Sequence, residues 1–319
     1  MQINAEECKK PAVSHIHYRT NFKAGIEMSW KVLKTNCRLY FCLFMLFAAS
    51  EGFAQDLPVD PVGARHIALG GAAAALSYGA DAVYHNPASL VWQTLTFGGG
   101  VQPIQWNKAP RSWWLAFYNQ NSDYDVPVSL IAQGWWDPTD NGDRYVNMIG
   151  MPLAFNFTPA TPGAATVKFA AERDENGDMT YGFPFDFGFL GRYSSSIVLG
   201  LVLRNVTIGH NPFDALEERL DYGVAYGGGP FTILASTTLK RKNTLLDSKE
   251  QYRLGIEAFS SDQIAFRAGF MQEPDQRFYT GGIGLRSSGQ RQYEFSYAFV
   301  YDPEGKHFRH YIQYIFLLI

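Results

Sequence analysis

The stretch YEFSYAFVY, residues 293–301, decides the fold that this chain adopts. Aromatic side chains occupy every second position, and small, polar or branched side chains occupy the positions between them. The aromatic set is Tyr293, Phe295, Tyr297, Phe299 and Tyr301, and the other set is Glu294, Ser296, Ala298 and Val300. Because successive side chains of a β-strand point to opposite faces, this period of two predicts a strand with one strongly apolar face.

The same alternation recurs in FPFDFGF (183–189), IVLGLVLRN (197–205), YRLGIEAF (252–259) and IAFRAGF (264–270). The second face carries glycine, alanine and charged residues, whereas a soluble sheet would present many Lys, Thr and Glu side chains to water. An apolar outside and a small or polar inside are typical of a transmembrane antiparallel β-barrel. We therefore expect an all-β barrel. Its predicted lumen-facing residues are Asp186, Arg204, Arg253, Glu257, Arg267 and Glu294.

About 14 strands are expected between turn signals such as DPTDNGD (137–143) and DENGD (174–178). Their expected bounds are 94–105, 111–120, 126–136, 144–157, 164–173, 179–192, 194–205, 220–229, 230–240, 250–260, 263–272, 278–287, 291–301 and 307–318. An even number of strands, each about 10 residues or longer, fits a single-chain bacterial barrel. The long connection 208–219 is expected to be an external loop.

The strand faces also predict a register and the effect of two substitutions. Placing Glu257 opposite Arg267 puts both charges in the lumen and leaves a three-residue loop, 261–263. Ile256 then lies opposite Ala268, and Leu254 opposite Phe270. On the 293–301 strand, a lysine at Tyr297 is expected to be costly in lipid, whereas a lysine at Ser296 is expected to be tolerated in the lumen.

Export is indicated by the N-terminal region. Three basic residues precede the apolar run LYFCLFMLFAA (39–49), which is followed by small residues before Gln55. This pattern is typical of a cleaved signal peptide, and the run is shorter than the roughly 20 residues of a membrane-spanning helix, although a retained anchor is the alternative. We expect an upstream extension over 1–27 with a misassigned start, a signal peptide over 28–54, an N-terminal segment over 55–93 and a barrel over 94–319.

The segment GARHIALGGAAAALSYGADAVYHNPASL (63–90) lies between the signal peptide and the first strand. It resembles the N-terminal signature of the FadL-like outer-membrane barrels, including the PorV/PorQ group, in which a glycine–alanine segment leads into an NPA tripeptide. The strand sequence patterns VLGLVLRN (198–205) and GGIGLR (281–286) are similar to those of that group as well, so the resemblance covers about residue 61 to the end. The chain is short for a FadL-type transporter, and it ends in Ile319 rather than in an aromatic residue.

This resemblance implies a fourteen-stranded barrel whose N-terminal segment folds inward as a hatch. It places the candidate gating residues at Asn86, Pro87 and Ala88. Small side chains can lie close to glycines of the barrel wall, Asn86 can cap a turn, and Pro87 ends regular structure because it lacks an N–H group. The alternative is a packing turn without a gating role.

Other chemistry has little support in the sequence. Its three cysteines, Cys8, Cys37 and Cys42, all precede the expected cleavage site, and the seven histidines form no HExxH or similar metal spacing. The glycine runs at 98–103 and 281–286 lie in expected strands rather than before a helix, so they do not predict a phosphate site. We expect no catalytic residues, no metal and no cofactor.

The tryptophans suggest contact with the membrane surface. Trp113, Trp114, Trp135 and Trp136 are interpreted as part of an interfacial girdle, with substrate stacking as the alternative. The net charge of −3 argues against a nucleic-acid partner.

Three functions remain open at this point. The first is a non-enzymatic outer-membrane barrel, exported by a cleaved signal peptide, that conducts hydrophobic or small molecules and is gated by the hatch. Its partners are outer-membrane lipid and hydrophobic small molecules. The second, implied by the resemblance to the PorV/PorQ group, is a component of a type IX secretion system that binds secretion-system proteins. The third is a soluble exported β protein.

Overall fold

A computed structural model describes residues 62–76, 78–93, 96–101, 112–119, 128–139, 142–208, 212–213, 216–240, 249–274, 276–287, 291–304 and 306–318. The expected upstream extension and signal peptide lie outside the described residues. The described helices are α1 (Ala64–Ala68), α2 (Ala82–His85) and a 3-10 helix (Pro87–Trp92). The described strands are β1 (Thr96–Val101), β2 (Ser112–Asn119), β3 (Val128–Thr139), β4 (Gly142–Thr158), β5 (Thr161–Arg173), β6 (Met179–Gly182), β7 (Phe185–Arg192), β8 (Ile197–Val206), β9 (Arg219–Gly228), β10 (Phe231–Lys240), β11 (Lys249–Ser261), β12 (Ile264–Gln272), β13 (Arg277–Arg286), β14 (Arg291–Asp302) and β15 (His307–Leu318).

The strands form one closed antiparallel barrel. Apart from β6 and β7, strands that follow each other in sequence are neighbours in the sheet, and β1 pairs with β15 to close it. Both β6 and β7 pair with β5 in the same register, since Ala170 lies opposite Gly182 and Val167 opposite Phe185. They are two parts of one wall strand, which is interrupted at Pro184. The barrel therefore has fourteen strands around its circumference, as the sequence predicts.

Burial alternates along the wall strands as the period of two requires. On β4, Val146, Met148 and Gly150 are buried, whereas Ile149 and Met151, at the alternate positions, are 55% and 50% exposed. Large apolar side chains cover the outer face of most strands, and an apolar surface of this extent is stable only against lipid. The fold is a transmembrane antiparallel β-barrel. In the part of the chain that the structure describes, no helix is long and apolar enough to cross a bilayer.

The two ends of the barrel differ in their connections. Two-residue turns follow β4, β9 and β11 at the end where β1 begins, and this end is called the turn end. Longer connections follow β8 and β10 at the opposite end, which is called the loop end. The division is not complete, since the two-residue connection after β3 lies at the loop end and the eight-residue connection after β2 lies at the turn end. Residues 62–93 enter β1 from the turn end.

The β11–β12 hairpin has the predicted register with a different turn. Glu257 lies opposite Arg267, Ile256 opposite Ala268 and Leu254 opposite Phe270, so the predicted pairing is confirmed. The predicted three-residue loop is wrong, because Ser261 pairs with Ile264 and leaves a two-residue turn. A register shift between Phe259 and Ser261 absorbs the extra residue as a bulge, which the pairing of the charges alone could not show.

The tryptophan girdle is wrong for Trp114 and Trp135. Trp135 packs against the inward-facing side chains of Val146 and Met148. Trp113 faces outward and is 38% exposed, but Trp114 is 2% exposed inside the barrel, where its ring meets the edge of Tyr84 at 5.6 Å. Adjacent residues of a strand point to opposite faces, so the two rings cannot both belong to an outer girdle.

Candidate functional site

The N-terminal segment fills the inside of the barrel near the turn end. Residues 62–93, called the hatch, comprise α1, α2, the 3-10 helix and their connections. Almost every described residue of the hatch is buried, including the whole of α1 and α2. Its glycines and alanines let its backbone pass close to the inner wall, as the sequence predicts. The segment is therefore a hatch within the lumen.

Glycines of the wall make room for the hatch. A Cβ atom at Gly98 would lie 2.6 Å from Ala80 Cβ, and one at Gly188 would lie 2.4 Å from Asn86 Oδ1. The same crowding occurs at Gly200, Gly255, Gly269 and Gly282, each against hatch atoms. Contacts this short leave no room for a side chain unless the hatch or the wall shifts, so these wall positions are shaped to the hatch backbone.

A buried ion-pair cluster joins the hatch to the wall. Arg65 of α1 donates two hydrogen bonds to Glu257, from Nε to Oε1 at 2.9 Å and from Nη2 to Oε2 at 2.7 Å. Arg267 also donates from Nε to Glu257 Oε1 at 2.7 Å. The Tyr78 hydroxyl donates to the same carboxylate. Glu257 is thus the common acceptor for two hatch residues and one wall residue.

The cluster extends along the wall through a second carboxylate. Glu294 accepts from Arg267 Nη2 at 2.7 Å and from Arg286 Nε at 2.8 Å, and Ser296 donates to Glu294 at 2.9 Å. These side chains and those of the preceding paragraph form the Glu257 cluster: Arg65, Tyr78, Glu257, Arg267, Arg286, Glu294 and Ser296. Charge-assisted and two-pronged bonds of this kind hold geometry tightly. The cluster therefore fixes α1 against β11, β12, β13 and β14.

A second tether holds the end of α2. Arg204 of β8 donates through its two Nη atoms to the backbone carbonyls of Tyr84 and His85, and its Nε donates to Asp221. Thr238 also donates to Asp221, at 2.6 Å. Carbonyls at a helix C-terminus carry partial negative charge and lack partners within the helix, so a guanidinium is a suitable cap.

Asn86 joins the hatch to itself and to β7. Its Nδ2 donates to the carbonyl oxygens of Ala74 at 2.8 Å and Phe189 at 3.0 Å, while its Oδ1 accepts from the Ala88 N–H at 3.1 Å. Pro87 begins the 3-10 helix and lies over Gly188. The candidate residues Asn86, Pro87 and Ala88 thus lie together at a wall contact of the hatch.

Tyr84 reaches the junction between β2 and β3. Its hydroxyl donates to the carbonyl of Leu115 and accepts from the Ala132 N–H at 3.0 Å. Leu115 and Ala132 are opposite each other in the β2–β3 pairing. A hatch side chain therefore contacts backbone groups of two adjacent wall strands.

Two histidines stack within the hatch. The rings of His66 and His85 have centroids 3.9 Å apart, His66 Nδ1 donates to Asp81 Oδ2 at 2.7 Å, and His85 Nε2 donates to the Val62 carbonyl at 2.9 Å. Burial lowers the pKa of both imidazoles, which lie outside the membrane-spanning strands. Both rings are therefore neutral at pH 7. In the described ranges, no group of three His, Cys, Asp or Glu side chains is arranged to hold a metal ion.

A small cavity lies on the loop-end side of the hatch. Its volume is about 20 Å³, which holds roughly one water molecule. It is lined by Val62, Tyr84, His85, Ile131, Gln133, Met148, Gly150, Lys168, Asp186 and Arg204. Lys168 donates to Asp186 at 2.6 Å at its polar end. This cavity is thus too small to serve as a passage for a solute.

All six residues predicted to face the lumen are buried on the inner side of the wall. Glu257, Arg267 and Glu294 meet in the Glu257 cluster, and Arg204 caps α2. Asp186 lines the cavity, and Arg253 donates to the Gly71 carbonyl at 3.4 Å. The structure thus places most of them against the hatch rather than against water.

The surroundings of Ser296 argue against the predicted tolerance of a lysine there, because they also consist of protein rather than open lumen. Ser296 is 0% exposed, and it accepts a hydrogen bond from Arg267 Nη1 at 2.8 Å. A lysine there has no water to enter and would lie beside a guanidinium.

Sequence reasoning did not identify several hatch residues, among them Arg65, Tyr78, Tyr84, His66 and His85. They lie in a segment without strand or helix periodicity, so no pattern indicates which of them turn toward the wall. The one available signal was their size and polarity within a run of alanines and glycines.

Comparison with known proteins gives a likeness in structure alone. Neither a protein-family model nor a curated protein sequence matches this chain. The toluene transporter TodX of Pseudomonas putida is 11% identical over 82% of this chain and 98% of its own, with a TM-score of 0.55. The chain has the fold of a FadL-type channel. A FadL homologue of Pseudomonas aeruginosa is similar, at 11% identity over 83% of this chain and 98% of its own and a TM-score of 0.52. A TodX deltaS2S3 mutant, a monoaromatic hydrocarbon channel, gives 0.56 at 11% identity over 82% of this chain and 99% of its own.

Proposed function

We propose that this protein is an outer-membrane channel for hydrophobic small molecules, closed by its hatch. The observation that carries the proposal is a lipid-facing barrel whose lumen is filled, near the turn end, by residues 62–93. The shared fold with TodX, a toluene transporter, supports the class of solute. In this proposal the signal peptide 28–54 is cleaved during export, the barrel spans 94–319, and the protein has no catalytic role.

The tethers of the hatch are suited to reversible release. The contacts described between hatch and wall are hydrogen bonds, ion pairs and close packing, centred on Arg65, Arg204 and Asn86. The ladder that closes the barrel is made by the strands themselves, since β1 pairs with both β2 and β15. The hatch can therefore move without opening the barrel. Asn86, Pro87 and Ala88 act in gating as the wall contact that must be released.

The inner wall offers a partly apolar route to the hatch. Val62, Ile131 and Met148 line the cavity on the loop-end side. The charged groups beside them are engaged with one another, as Lys168 is with Asp186, so they present less free charge to an apolar solute.

Uptake measurements test the proposal. Cells that lack their own hydrocarbon channel should take up labelled toluene faster when they express this protein than with an empty vector. Removal of residues 61–90 should raise the rate further, and heat-modifiable gel migration checks that each barrel is folded. Equal uptake with and without 61–90 contradicts gating, and no uptake by either form contradicts the channel.

A second function is favoured by the filled lumen. A barrel whose interior near the turn end is packed by residues 62–93 can serve as a rigid membrane base for partner proteins. We propose, as the alternative, a component of a type IX secretion system like the PorV/PorQ group. Purification from membranes should then recover secretion-system proteins. Recovery of none, under conditions that retain other outer-membrane complexes, contradicts this alternative.

A further inference from the structure

Two buried histidines of the hatch have no part in the wall contacts that hold it. His66 of α1 and His85 of α2 stack on each other, with ring centroids 3.9 Å apart and ring planes inclined by 32°. Both side chains are buried, and so is the carboxylate of Asp81 beside them. Histidine is the side chain whose charge ordinarily changes between pH 5 and 8. The stack therefore puts two groups that can gain a proton in this range at the place where α1 meets α2.

Hydrogen bonds determine where an added proton would go. His66 Nδ1 donates to Asp81 Oδ2 at 2.7 Å, so a second proton on this ring must sit on Nε2. Among the residues that the structure describes, this buried Nε2 has no hydrogen-bond partner. His85 Nε2 donates to the Val62 carbonyl at 2.9 Å, so a second proton on His85 must sit on Nδ1. Protonation of His66 thus creates a buried N–H group without an acceptor, which is costly.

The charges on the α1 side of the stack already balance. The Glu257 cluster holds three guanidinium groups and two carboxylates, so it carries one net positive charge. Asp81 carries one negative charge and interacts electrostatically with Arg65 of that cluster. A proton added to His66 would leave this buried group of side chains with an uncompensated positive charge.

The charges on the α2 side are also paired. Arg204, whose guanidinium contacts the His85 carbonyl, forms an ion pair with Asp221. His85 lines the small cavity together with Lys168 and Asp186, which pair with each other. The wall therefore offers no carboxylate of its own to a protonated His85.

Both rings are consequently held neutral while the hatch is docked. Burial lowers the pKa of both imidazoles, and the guanidinium groups of Arg65 and Arg204 act in the same direction on His66 and His85 respectively. Asp81 opposes this effect, but the pKa of His66 remains lowered. Once the hatch leaves the lumen, water surrounds the rings and the ordinary pKa of about 6.5 applies. A released hatch therefore binds up to two protons that a docked hatch excludes.

We propose that the stacked pair His66–His85 is an acid-sensitive latch, which lets the hatch leave the wall when protons from the surrounding water bind the two imidazoles. The inference rests on the proposed channel function for its physiological meaning, because it names a condition under which the channel opens. Above the ordinary histidine pKa, docking does not depend on these rings' protonation. Below it, the docking equilibrium weakens by up to about tenfold per pH unit for each histidine.

Two substitutions remove the titration and keep the hydrogen bonds. The Nδ2 group of His66→Asn can replace Nδ1 as the donor to Asp81, and the Nε2 group of His85→Gln can replace the donor to Val62. The test variant carries both substitutions. The matched control is His310→Gln, since His310 lies on the outer face of β15, where its Nδ1 contacts the Tyr297 hydroxyl at 2.6 Å.

The first measurement is hydrogen exchange of the α1 and α2 amides in purified protein at pH 7.5 and pH 5.0. Each rate is divided by the intrinsic exchange rate at that pH, which gives the opening constant of the hatch. The opening constant should rise at least tenfold at pH 5.0 in the wild type and in His310→Gln, and it should stay unchanged in the double variant. An equal rise in the double variant and the wild type overturns the latch.

The second measurement is toluene uptake at the same two pH values. Toluene is uncharged at both, so a change in its uptake reports on the protein. The initial rate should be severalfold higher at pH 5.0 in the wild type and in His310→Gln, and equal at the two pH values in the double variant.

The outcomes separate the latch from the channel. If the opening constant depends on the two histidines but the wild type takes up no toluene at either pH, the channel function fails and the latch stands. If the wild type takes up toluene but exchange and uptake in the double variant follow the wild type, the latch is overturned and the channel stands.

If the double variant does not fold, the wild type alone decides. The ring resonances of His66 and His85 can be titrated by NMR in the docked protein. Half-protonation of both rings well below pH 6.5 supports the latch, and half-protonation of both at or above pH 6.5 overturns it.

Discussion

Arg65 and Glu257 form a two-pronged ion pair between the hatch and the barrel wall, with the two side chains 1% and 0% exposed. The residues are 192 positions apart in sequence. Glu257 also accepts from Arg267 and Tyr78, so it satisfies three donors side by side. A buried carboxylate with this many donors is a point at which one substitution can weaken the whole docking of the hatch.

Glu257→Gln should weaken hatch docking by roughly 3–5 kcal/mol, because it leaves two buried guanidinium groups without their shared charge. The measurement is hydrogen exchange of the α1 amides, which should become much faster while the amides of β14 stay protected. The matched control is Glu250→Gln on the same strand, an exposed position that should change docking by less than about 0.5 kcal/mol. Equal exchange in the two variants contradicts the role of Glu257.

Gly188→Ala should displace the Asn86–Pro87 contact. The added Cβ would lie 2.4 Å from Asn86 Oδ1 and 2.7 Å from Pro87 Cδ, so overpacking of about 1–3 kcal/mol is expected. Gly191→Ala on the same strand is the control, since a Cβ there has nothing within 4 Å. Hydrogen exchange in the 3-10 helix should rise in the first variant alone. If hydrogen exchange in the 3-10 helix is the same in the two variants, the Asn86–Pro87 segment does not pack against Gly188.

The strands, their faces and the β11–β12 register could be predicted because each depends on a local period of two. The adjacent pair Trp113 and Trp114 shows the limit of composition: tryptophan suggests an interface, but alternation sends one ring inward. The strands do not show what fills the barrel, because small or polar inward residues are compatible with either a water-filled or a protein-filled lumen. For this reason a lysine at Ser296 was expected to be tolerated.

The contacts of the hatch were predictable only in outline. Its glycine–alanine composition indicates close packing, and wall glycines such as Gly98 meet it. The partner of Arg65, however, is set by the way a non-periodic segment turns inside a closed barrel. Neither spacing nor propensity specifies a contact across 192 positions.

Tyr297→Lys and Ser296→Lys should both destabilise the barrel, for different reasons. Tyr297 lies on the outer face of β14, bonded to His310 Nδ1 at 2.6 Å, and a lysine near the bilayer midplane costs about 2–4 kcal/mol. A lysine at Ser296 adds a cation to the Glu257 cluster. Unfolding titrations in vesicles measure both, with Glu304→Lys in an exposed turn as control. Wild-type stability of Ser296→Lys would indicate a water-filled interior.

Hatch docking should weaken as pH falls below about 6.5. Burial lowers the pKa of His85 well below its ordinary value, so the docked hatch keeps this ring neutral, whereas a released hatch binds a proton at the ordinary pKa. Hatch docking is fully stable above the ordinary histidine pKa. Its stability falls as the pH drops from that ordinary pKa toward the lower pKa of His85 in the docked state. Hydrogen exchange of α2 amides against pH measures this. His85→Gln should reduce the slope, and an unchanged slope contradicts the assignment.

The most direct test of the account is a reversible disulfide between hatch and wall, formed by Ala80→Cys with Gly98→Cys. A Cβ at Gly98 would lie 2.6 Å from Ala80 Cβ, and an increase of about 1 Å in this distance brings the pair into disulfide range. The account predicts that the oxidised protein forms the crosslink and loses toluene uptake, and that a reductant restores uptake, while Ala80→Cys alone is unaffected. A crosslink that forms and leaves uptake unchanged, or no crosslink in a folded barrel, would contradict the central claim that a hatch within the lumen must move for passage.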